Sequence, residues 1–198
     1  MAKFTLFDYN IEGYSQDASG AYKNPARNHE VRMKEIIDVN TGEVKVGGSK
    51  TILRSLAIGS CIVVAAYDSR KKVGAMAHVM LPGRAPEKEP EKTKYAADAI
   101  DEMINQMTVA GANRDNIEVC LVGGGNVLQR KDDTICKENV KSTTELLEKE
   151  NIPIRKAVLG GTERKSVFLD IDCGSISYTE GDGGKRPLWR PSRRSHLR

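Results

Sequence analysis

The sequence predicts an α+β fold, a layered sandwich of mainly antiparallel sheet with helices packed on one face. Three observations predict this class: roughly seven short strand patterns, neighbouring strands joined by short turns, and only two segments with the apolar spacing of substantial helices. A doubly wound parallel sheet would require a helix between most strands, so we do not expect one.

The first strand pattern is residues 43–46, which a Gly47-Gly48 turn follows. Segment 61–67 is apolar and rich in β-branched residues, segment 73–81 is a second apolar run, and the five polar residues 68–72 join them. Two such segments with a short polar connection predict a β-hairpin. The later strand patterns cover 117–122, 154–159, 166–171 and 175–178.

The clearest helix pattern spans residues 95–111, where Ala, Ile and Met recur at spacings of three and four before Gly111, a natural C-cap residue. A second helix pattern spans residues 138–150. These elements define a domain over residues 37–182. We expect residues 1–36 to be an irregular extension and residues 183–198 to be a basic, disordered tail.

The net charge of +4 comes from the end of the chain. Residues 185–198 hold six of the 31 Lys and Arg residues and no acidic residue, which leaves 25 basic and 27 acidic residues in residues 1–184. The folded part therefore lacks the positive patch of a nucleic-acid-binding protein, and we expect no nucleic-acid partner.

The four cysteines, Cys61, Cys120, Cys136 and Cys173, show no CxxC spacing, and no His, Asp and Glu cluster has metal-ligand spacing. We therefore expect free thiols, no metal and no cofactor. The sequence has no run of 18 apolar residues and no secretory signal pattern, so we expect a cytoplasmic protein that does not insert into a membrane.

Cys61 is the candidate nucleophile. It follows Gly59 and Ser60 at the start of an apolar segment, and Gly59 permits a sharp turn immediately before the thiol. A thiol at such a corner can face a cleft, where backbone N–H groups around Ser60 stabilise an oxyanion. The alternative is a buried strand cysteine that packs as a small hydrophobic residue.

His78 is the candidate base, because it interrupts an apolar segment where a buried imidazole needs a hydrogen-bond partner. The expected hairpin places it on the strand next to Cys61, near one end of the sheet. An adjacent imidazole can generate a thiolate at neutral pH. The alternative is a core histidine with satisfied hydrogen bonds. His29 and His196 lie in the irregular ends and are weaker candidates.

The glycines 123–125 follow a strand pattern but lack the GxxxxGK[ST] pattern of a phosphate-binding loop. A helix pattern does not start directly after them. We therefore expect a tight turn beside the cleft, with Gly124, Gly125 and Asn126 at the substrate.

Two motifs resemble the signature of the CheD family, the chemoreceptor glutamine deamidases. They are LAIGSC at residues 56–61 and GAMAHVMLP at residues 74–82, and this pair at this spacing is the specific part of the resemblance. The similarity extends over roughly residues 42–179. Weaker matches follow in family order at Tyr95, Gly111-Ala112, Arg114, Gly123-Gly124-Gly125-Asn126, Gly160-Gly161, Ser166-Val167-Phe168 and Cys173-Gly174.

The resemblance implies a three-layer α/β/β arrangement and a catalytic Cys61–His78 pair. It also implies a threonine six residues before the cysteine as the third member, and this chain has Ser55 there. The serine keeps the hydroxyl that would orient His78 and lacks the methyl group. A second departure is at residues 163–165, where the family has a glycine followed by a basic residue.

The activity that the resemblance implies is hydrolysis of glutamine side chains to glutamate, through a thioester, on the helical cytoplasmic region of chemotaxis receptors. The implied partner is a CheC-type phosphatase that docks over the same cleft. Two alternatives remain open. One is a non-catalytic regulator of such a phosphatase, and the other is a hydrolase of receptor glutamate methyl esters.

Overall fold

The computed structural model describes residues 15–16, 22–23 and 34–192. The chain divides into two compact units, Met1–Met33 and Lys34–Arg198. In the first unit, β1 (Ser15–Gln16) and β2 (Tyr22–Lys23) pair antiparallel. The rest of the expected extension up to residue 33 lies outside the described residues, as does the end of the expected basic tail, residues 193–198.

The second unit contains ten strands and two α-helices within residues 34–192. The strands are β3 (Glu35–Asp38), β4 (Val44–Gly47), β5 (Thr51–Ile58), β6 (Ile62–Asp68), β7 (Val73–Val79), β8 (Ile117–Gly123), β9 (Ile154–Leu159), β10 (Lys165–Asp170), β11 (Ser175–Glu180) and β12 (Arg186–Trp189). The helices are α1 (Ala96–Val109) and α2 (Ile135–Lys149). Neither helix of this region combines the length and the apolar composition needed to cross a membrane.

The strands form two five-stranded sheets. One has the order β4-β7-β6-β8-β9, and the other has the order β12-β11-β10-β5-β3. Neighbouring strands are antiparallel except for β8 with β9 and β3 with β5, which are parallel. This mainly antiparallel pairing confirms the predicted fold class.

The core lies in two layers on opposite faces of the β4-β7-β6-β8-β9 sheet. On one face, Val64 and Ala77 pack with helix residues such as Met103 and Leu147. On the other face, Met76 and its neighbours pack against the second sheet. The order is therefore helices, middle sheet and outer sheet, which confirms the three-layer α/β/β arrangement.

The expected hairpin is β6–β7, which pairs in register from Ile62↔Val79 to Asp68↔Val73. Every residue of both strands is buried, because the middle sheet is covered on both faces. This explains why both segments are nearly continuous apolar runs rather than alternating ones.

Strand β5 contains a β-bulge near its end. Ser55 pairs with Val167 and Ile58 pairs with Lys165, so Leu56 and Ala57 together oppose one residue of β10. Ala57 has φ of +55°, in the left-handed region that disfavours residues with a Cβ. Leu56 faces outward, where it is 49% exposed, and the bulge leaves Ala57 exposed as well before Ile58 returns to the core.

Three strands differ from the sequence expectations. Strands β3, β5 and β12 have no counterpart among the strand patterns predicted from the sequence. Strand β3 begins inside the expected extension 1–36. Strand β12 lies inside the expected disordered tail, yet it pairs with β11 from Ile176↔Trp189 to Tyr178↔Arg186 and extends the outer sheet. It contains Pro187, which is tolerated because β12 is an edge strand.

Candidate functional site

Cys61, His78 and Ser55 all face the layer between the two sheets. Side chains alternate along a strand, so His78 lies on the same face of β7 as Met76, and Ser55 lies on the same face of β5 as Leu53. Met76 and Leu53 belong to the core between the sheets, and Cys61 packs against that core. The sandwich thus places Ser55 of the outer sheet, His78 of the middle sheet and Cys61 of the loop that joins the two sheets in the same layer.

A direct hydrogen bond joins Ser55 to His78. The Ser55 Oγ lies 2.8 Å from His78 Nδ1 and 2.8 Å from the carbonyl oxygen of Val39. The carbonyl can only accept, so Ser55 donates its single hydroxyl hydrogen to Val39. Nδ1 of His78 must then carry a hydrogen, which it donates to Ser55. Nε2 therefore keeps its lone pair, as a general base requires.

His78 is 4% exposed, and burial lowers the pKa of its imidazole below the ordinary value of 6.5. Its Nε2 lies 3.5 Å from the hydroxyl of Thr41. A cleft of about 540 Å³ reaches the ring. The neutral imidazole is the form that the depressed pKa favours near pH 7, so the ring can accept a proton.

Cys61 lies in the loop between β5 and β6, directly before the first residue of β6. A second cleft, of about 500 Å³, opens onto it. Burial raises the pKa of the Cys61 thiol. Burial also raises the pKa of Cys120 to about 12 and, with Asp133 as a further cause, that of Cys136 to about 11.

The structure does not join Cys61 to His78 by a hydrogen bond, although both residues are among those described. Leu56 lines the His78 cleft and Ala57 lines the Cys61 cleft, so the β5 bulge separates the two openings. Burial raises the pKa of the Cys61 thiol and lowers that of the His78 imidazole, and both directions favour the neutral forms of the two groups. The thiolate that the sequence leads us to expect from the adjacent imidazole stays a prediction.

The loop before Cys61 leaves two backbone donors available. Within the described residues, the N–H groups of Ser60 and Cys61 donate to no protein carbonyl, and the Cys61 N–H lies close enough to its own sulfur to stabilise the thiolate. Two consecutive N–H groups beside a nucleophile can stabilise an oxyanion.

The glycine-rich turn after β8 supports this loop. The Gly124 N–H donates to the Cys61 carbonyl and the Gly125 N–H donates to the Gly59 carbonyl, each at 2.8 Å. The turn passes so close that a Cβ on Gly123 would lie 2.1 Å from the Cys61 carbonyl oxygen. Gly123 also has φ of +130°, so only glycine fits there.

Of the three residues expected at the substrate, Gly125 lines the Cys61 cleft, whereas Gly124 and Asn126 are not part of its lining. Gly124 instead supports the Cys61 loop, because its N–H donates a hydrogen bond to the Cys61 carbonyl. The Asn126 side chain instead binds the backbone N–H and carbonyl of Arg130, which closes the turn over residues 126–130.

Four residues at or near the site are not among the site residues predicted from the sequence. Arg130 and Arg164 line the Cys61 cleft. Lys165 is 1% exposed, donates to the Gly160 carbonyl at 2.5 Å and so supports the turn next to the glycine-rich loop. Asn139 of α2 is fully buried and donates to the backbone of the Cys61 loop. A buried amide or ammonium on an otherwise apolar face is the signal that could have identified Asn139 and Lys165.

Within the described residues, no three His, Cys, Asp or Glu side chains are close enough together to hold a metal ion. The functional groups around Cys61 and His78 are instead a thiol, an imidazole, a hydroxyl and backbone amides. This set suits nucleophilic attack on a carbonyl carbon with general acid–base assistance.

Comparison with known proteins places this site in context. A family model described as CheD chemotactic sensory transduction matches residues 80–180. A probable chemoreceptor glutamine deamidase CheD of Chlorobium luteolum is 41% identical over 150 residues, covering 75% of each chain. A protein with the same description from Methanococcus maripaludis is 33% identical, covering 74% of this chain and 96% of its own. The chemoreceptor glutamine deamidase CheD of Thermotoga maritima is 30% identical, covering 78% of this chain and 96% of its own.

Proposed function

This chain belongs to the CheD family, and we propose that it is a protein-glutamine glutaminase that converts glutamine side chains of chemotaxis receptors to glutamate. The observation that supports this proposal best is the Ser55–His78 hydrogen bond, which leaves Nε2 of the neutral His78 ring unprotonated and able to accept a proton. The same fold leaves the N–H groups of Ser60 and Cys61 directed at no protein carbonyl in the described residues.

In the first half of the proposed reaction, His78 Nε2 takes the proton from the Cys61 thiol as substrate binds. The sulfur attacks the carboxamide carbon, and the Ser60 and Cys61 N–H groups stabilise the negative charge on its oxygen. The C–N bond then breaks, and His78 returns the proton to nitrogen, which leaves as ammonia. A thioester joins Cys61 to the substrate side chain.

In the second half, neutral His78 takes a proton from water, and the resulting oxygen nucleophile attacks the thioester carbon. The C–S bond breaks, the proton returns to the Cys61 sulfur, and the product is a glutamate side chain. In both halves Ser55 holds Nδ1, so the tautomer and the ring orientation stay fixed.

The substrate in this proposal is the cytoplasmic helical region of a receptor, and the reaction takes place in the cytoplasm. A CheC-type phosphatase is the proposed partner, and it would dock over the Cys61 cleft. A partner that occupies the same cleft would compete with substrate, so its effect on turnover should fall as the receptor concentration rises.

The decisive experiment incubates a receptor cytoplasmic fragment with the protein, measures ammonia and maps modified glutamines by mass spectrometry. Cys61→Ala serves as the inactive control, and Cys173→Ala, at a half-buried cysteine, serves as the matched active one. Glutamine-to-glutamate conversion with equal release of ammonia supports the proposal. Release of methanol from a methylated fragment, without ammonia, would instead assign the chain as a methyl-ester hydrolase.

One observation favours a second candidate, a non-catalytic regulator of a CheC-type phosphatase. The Cys61 thiol has a raised pKa, and it makes no hydrogen bond to His78. If the chain only regulates, it changes phosphatase activity and releases no ammonia. Comparing the two readouts for wild type and Cys61→Ala separates the candidates, because a regulator would keep its effect without the thiol.

A further inference from the structure

Asn139 connects the two segments that contain Cys61 and His78. Its side chain is fully buried in the first turns of α2. The Nδ2 group donates to the Ser60 carbonyl and to the Met80 carbonyl, each at 3.0 Å. Ser60 directly precedes the candidate nucleophile, and Met80 lies two residues after the candidate base.

Among the described residues, no backbone hydrogen bond joins these two segments beyond the end of the β6–β7 ladder. The last pair of the β6–β7 ladder is Ile62↔Val79. Beyond it, the Met80 N–H donates to Lys94 and the Cys61 carbonyl accepts from Gly124. The strands therefore separate where the candidate site begins, and Asn139 bridges the gap.

We propose that Asn139 is a positioning residue, which fixes the distance between the Cys61 sulfur and the His78 ring by holding both backbone segments with one amide. The role in turnover rests on the proposed function, whereas the role in thiol reactivity does not. Proton transfer between two side chains is sensitive to distance, and a displacement of about 1 Å can cost about 10²-fold in rate.

The chemistry of the side chain explains why asparagine suits this position. An amide nitrogen has two hydrogens in a fixed fork, which matches two carbonyl acceptors. The Oδ1 atom has no partner among the described residues, so the fold uses the donors of Asn139 and not its acceptor. A carboxylate has the same shape but no hydrogens, and it would repel both carbonyls.

Thr143 provides a matched control. It lies one helical turn after Asn139 on the same face of α2 and is equally buried. Its hydroxyl has no partner within the described residues. Thr143→Val therefore removes a buried polar atom from the same face without removing a hydrogen bond to either segment.

The first test needs no substrate. The intact protein and the variants Asn139→Ala, Asn139→Asp and Thr143→Val are labelled with iodoacetamide from pH 6 to pH 9, and the Cys61 adduct is quantified by mass spectrometry. We expect both Asn139 variants to label Cys61 about ten-fold more slowly near pH 7, because a longer distance from sulfur to ring would destabilise the thiolate–imidazolium pair that reacts with iodoacetamide. Thr143→Val should match wild type.

The second test measures ammonia release from a receptor fragment. We expect Asn139→Ala and Asn139→Asp to lower kcat by about 10–100-fold with KM unchanged within about two-fold, because the chemical step and not binding is affected. Asn139→Ser carries one hydroxyl donor on a shorter side chain without a buried carboxylate, so it should fold at least as well as Asn139→Asp and lose no more activity than Asn139→Ala.

Unchanged labelling and kcat in folded Asn139→Ala would overturn the proposal, because this variant has no side-chain donor for either carbonyl. Equal losses in Thr143→Val would overturn it as well, by showing that α2 packing is responsible. If wild type releases no ammonia but Cys61 labelling still depends on Asn139, the proposed function fails and the positioning role stands.

Discussion

The β6–β7 hairpin and strand β5 contribute to the same site from opposite sides of the inter-sheet layer, but they differ in burial. All residues of β6 and β7 are buried. Strand β5 alternates between buried and partly exposed residues, and it contains a bulge with Ala57 in a left-handed conformation. Packing therefore constrains both faces of the β6–β7 hairpin but only one face of strand β5.

Because of this difference in burial, the hairpin and strand β5 contribute to the site in different ways. The middle sheet fixes where Cys61 and His78 can lie, because neither strand can shift without disturbing both core layers. The outer strand has one free face and tolerates local irregularity. It supplies the Ser55 hydroxyl that orients the ring, and its bulge forms the wall between the two clefts. Substitutions on the two regions should therefore have effects of different kind and size.

The largest effect is expected for Cys61→Ala, at the start of the hairpin. Ammonia release should be abolished because no other described thiol faces this cleft, while the melting temperature should change little because the replacement is small. Steady-state assays and thermal unfolding check this. Near-normal release by the variant would remove Cys61 from the mechanism.

A smaller but still large effect is expected for Ser55→Ala on β5. Loss of the hydroxyl leaves the Val39 carbonyl as the acceptor for His78 Nδ1, at 3.4 Å, so the ring is held less firmly. We expect kcat to fall by about 10²–10⁴-fold with little change in KM.

Ser55→Thr is the matched control for this position, since it keeps the hydroxyl and should retain or raise kcat. Full activity in Ser55→Ala would leave a dyad in which the Val39 carbonyl alone orients the ring. A large gain in Ser55→Thr would show that serine limits the site. Ammonia release from wild type and both variants distinguishes these results.

The pH dependence tests the burial of His78 in the hairpin. Its folded pKa lies below the unfolded value of 6.5, so the unfolded chain binds a proton first as the pH falls. The free energy of unfolding should therefore decrease as the pH falls below 6.5 and through the folded pKa. His78→Gln should show a shallower decrease between pH 7 and pH 5 in urea titrations.

An equally steep decrease in His78→Gln would assign the pH dependence to other groups. Activity should follow the same direction, because protonated His78 cannot accept the Cys61 proton. We expect kcat/KM to fall on the acidic side at a pH below 6.5.

The smallest effect is expected for Ala57→Gly in the β5 bulge. Relief of about 1–2 kcal/mol of left-handed strain exceeds the added unfolded-state entropy of glycine, about 0.4–1 kcal/mol. The free energy of unfolding should rise by about 0.5–1 kcal/mol, measured by urea denaturation. A destabilised variant would show that the alanine methyl group contributes packing that outweighs the strain.

The sequence by itself determined the hairpin, the two helices and the candidate Cys61–His78 pair. The physical reason is that these features are local. A middle-layer strand is apolar throughout, so its polar interruption at His78 is conspicuous, and α1 shows the apolar spacing of a helix packed on one side. The CheD-like motifs lie in the same two segments.

Strand β5 could not be identified from the sequence, because its hydrophobic and polar residues are not separated onto opposite faces of the strand. Its inward residues include Thr51 and Ser55, while its outward residues include Ile52 and Leu56. The alternation of hydrophobicity is therefore weak, although the strand lies at the centre of the outer sheet. Edge strands β3 and β12 are short, and β12 contains a proline, so neither gives a clear pattern.

The contacts that complete the site were decided only by tertiary structure. The Ser55 hydroxyl meets His78 from 23 residues away, and Asn139 meets the Ser60 carbonyl from 79 residues away. Such contacts depend on how the sheets and α2 stack, and hydrogen bonds to backbone carbonyls leave no complementary side chain in the sequence to indicate them. The sequence therefore indicates which groups could react, whereas the packing of three layers decides their distances, their protonation and the residues that hold them.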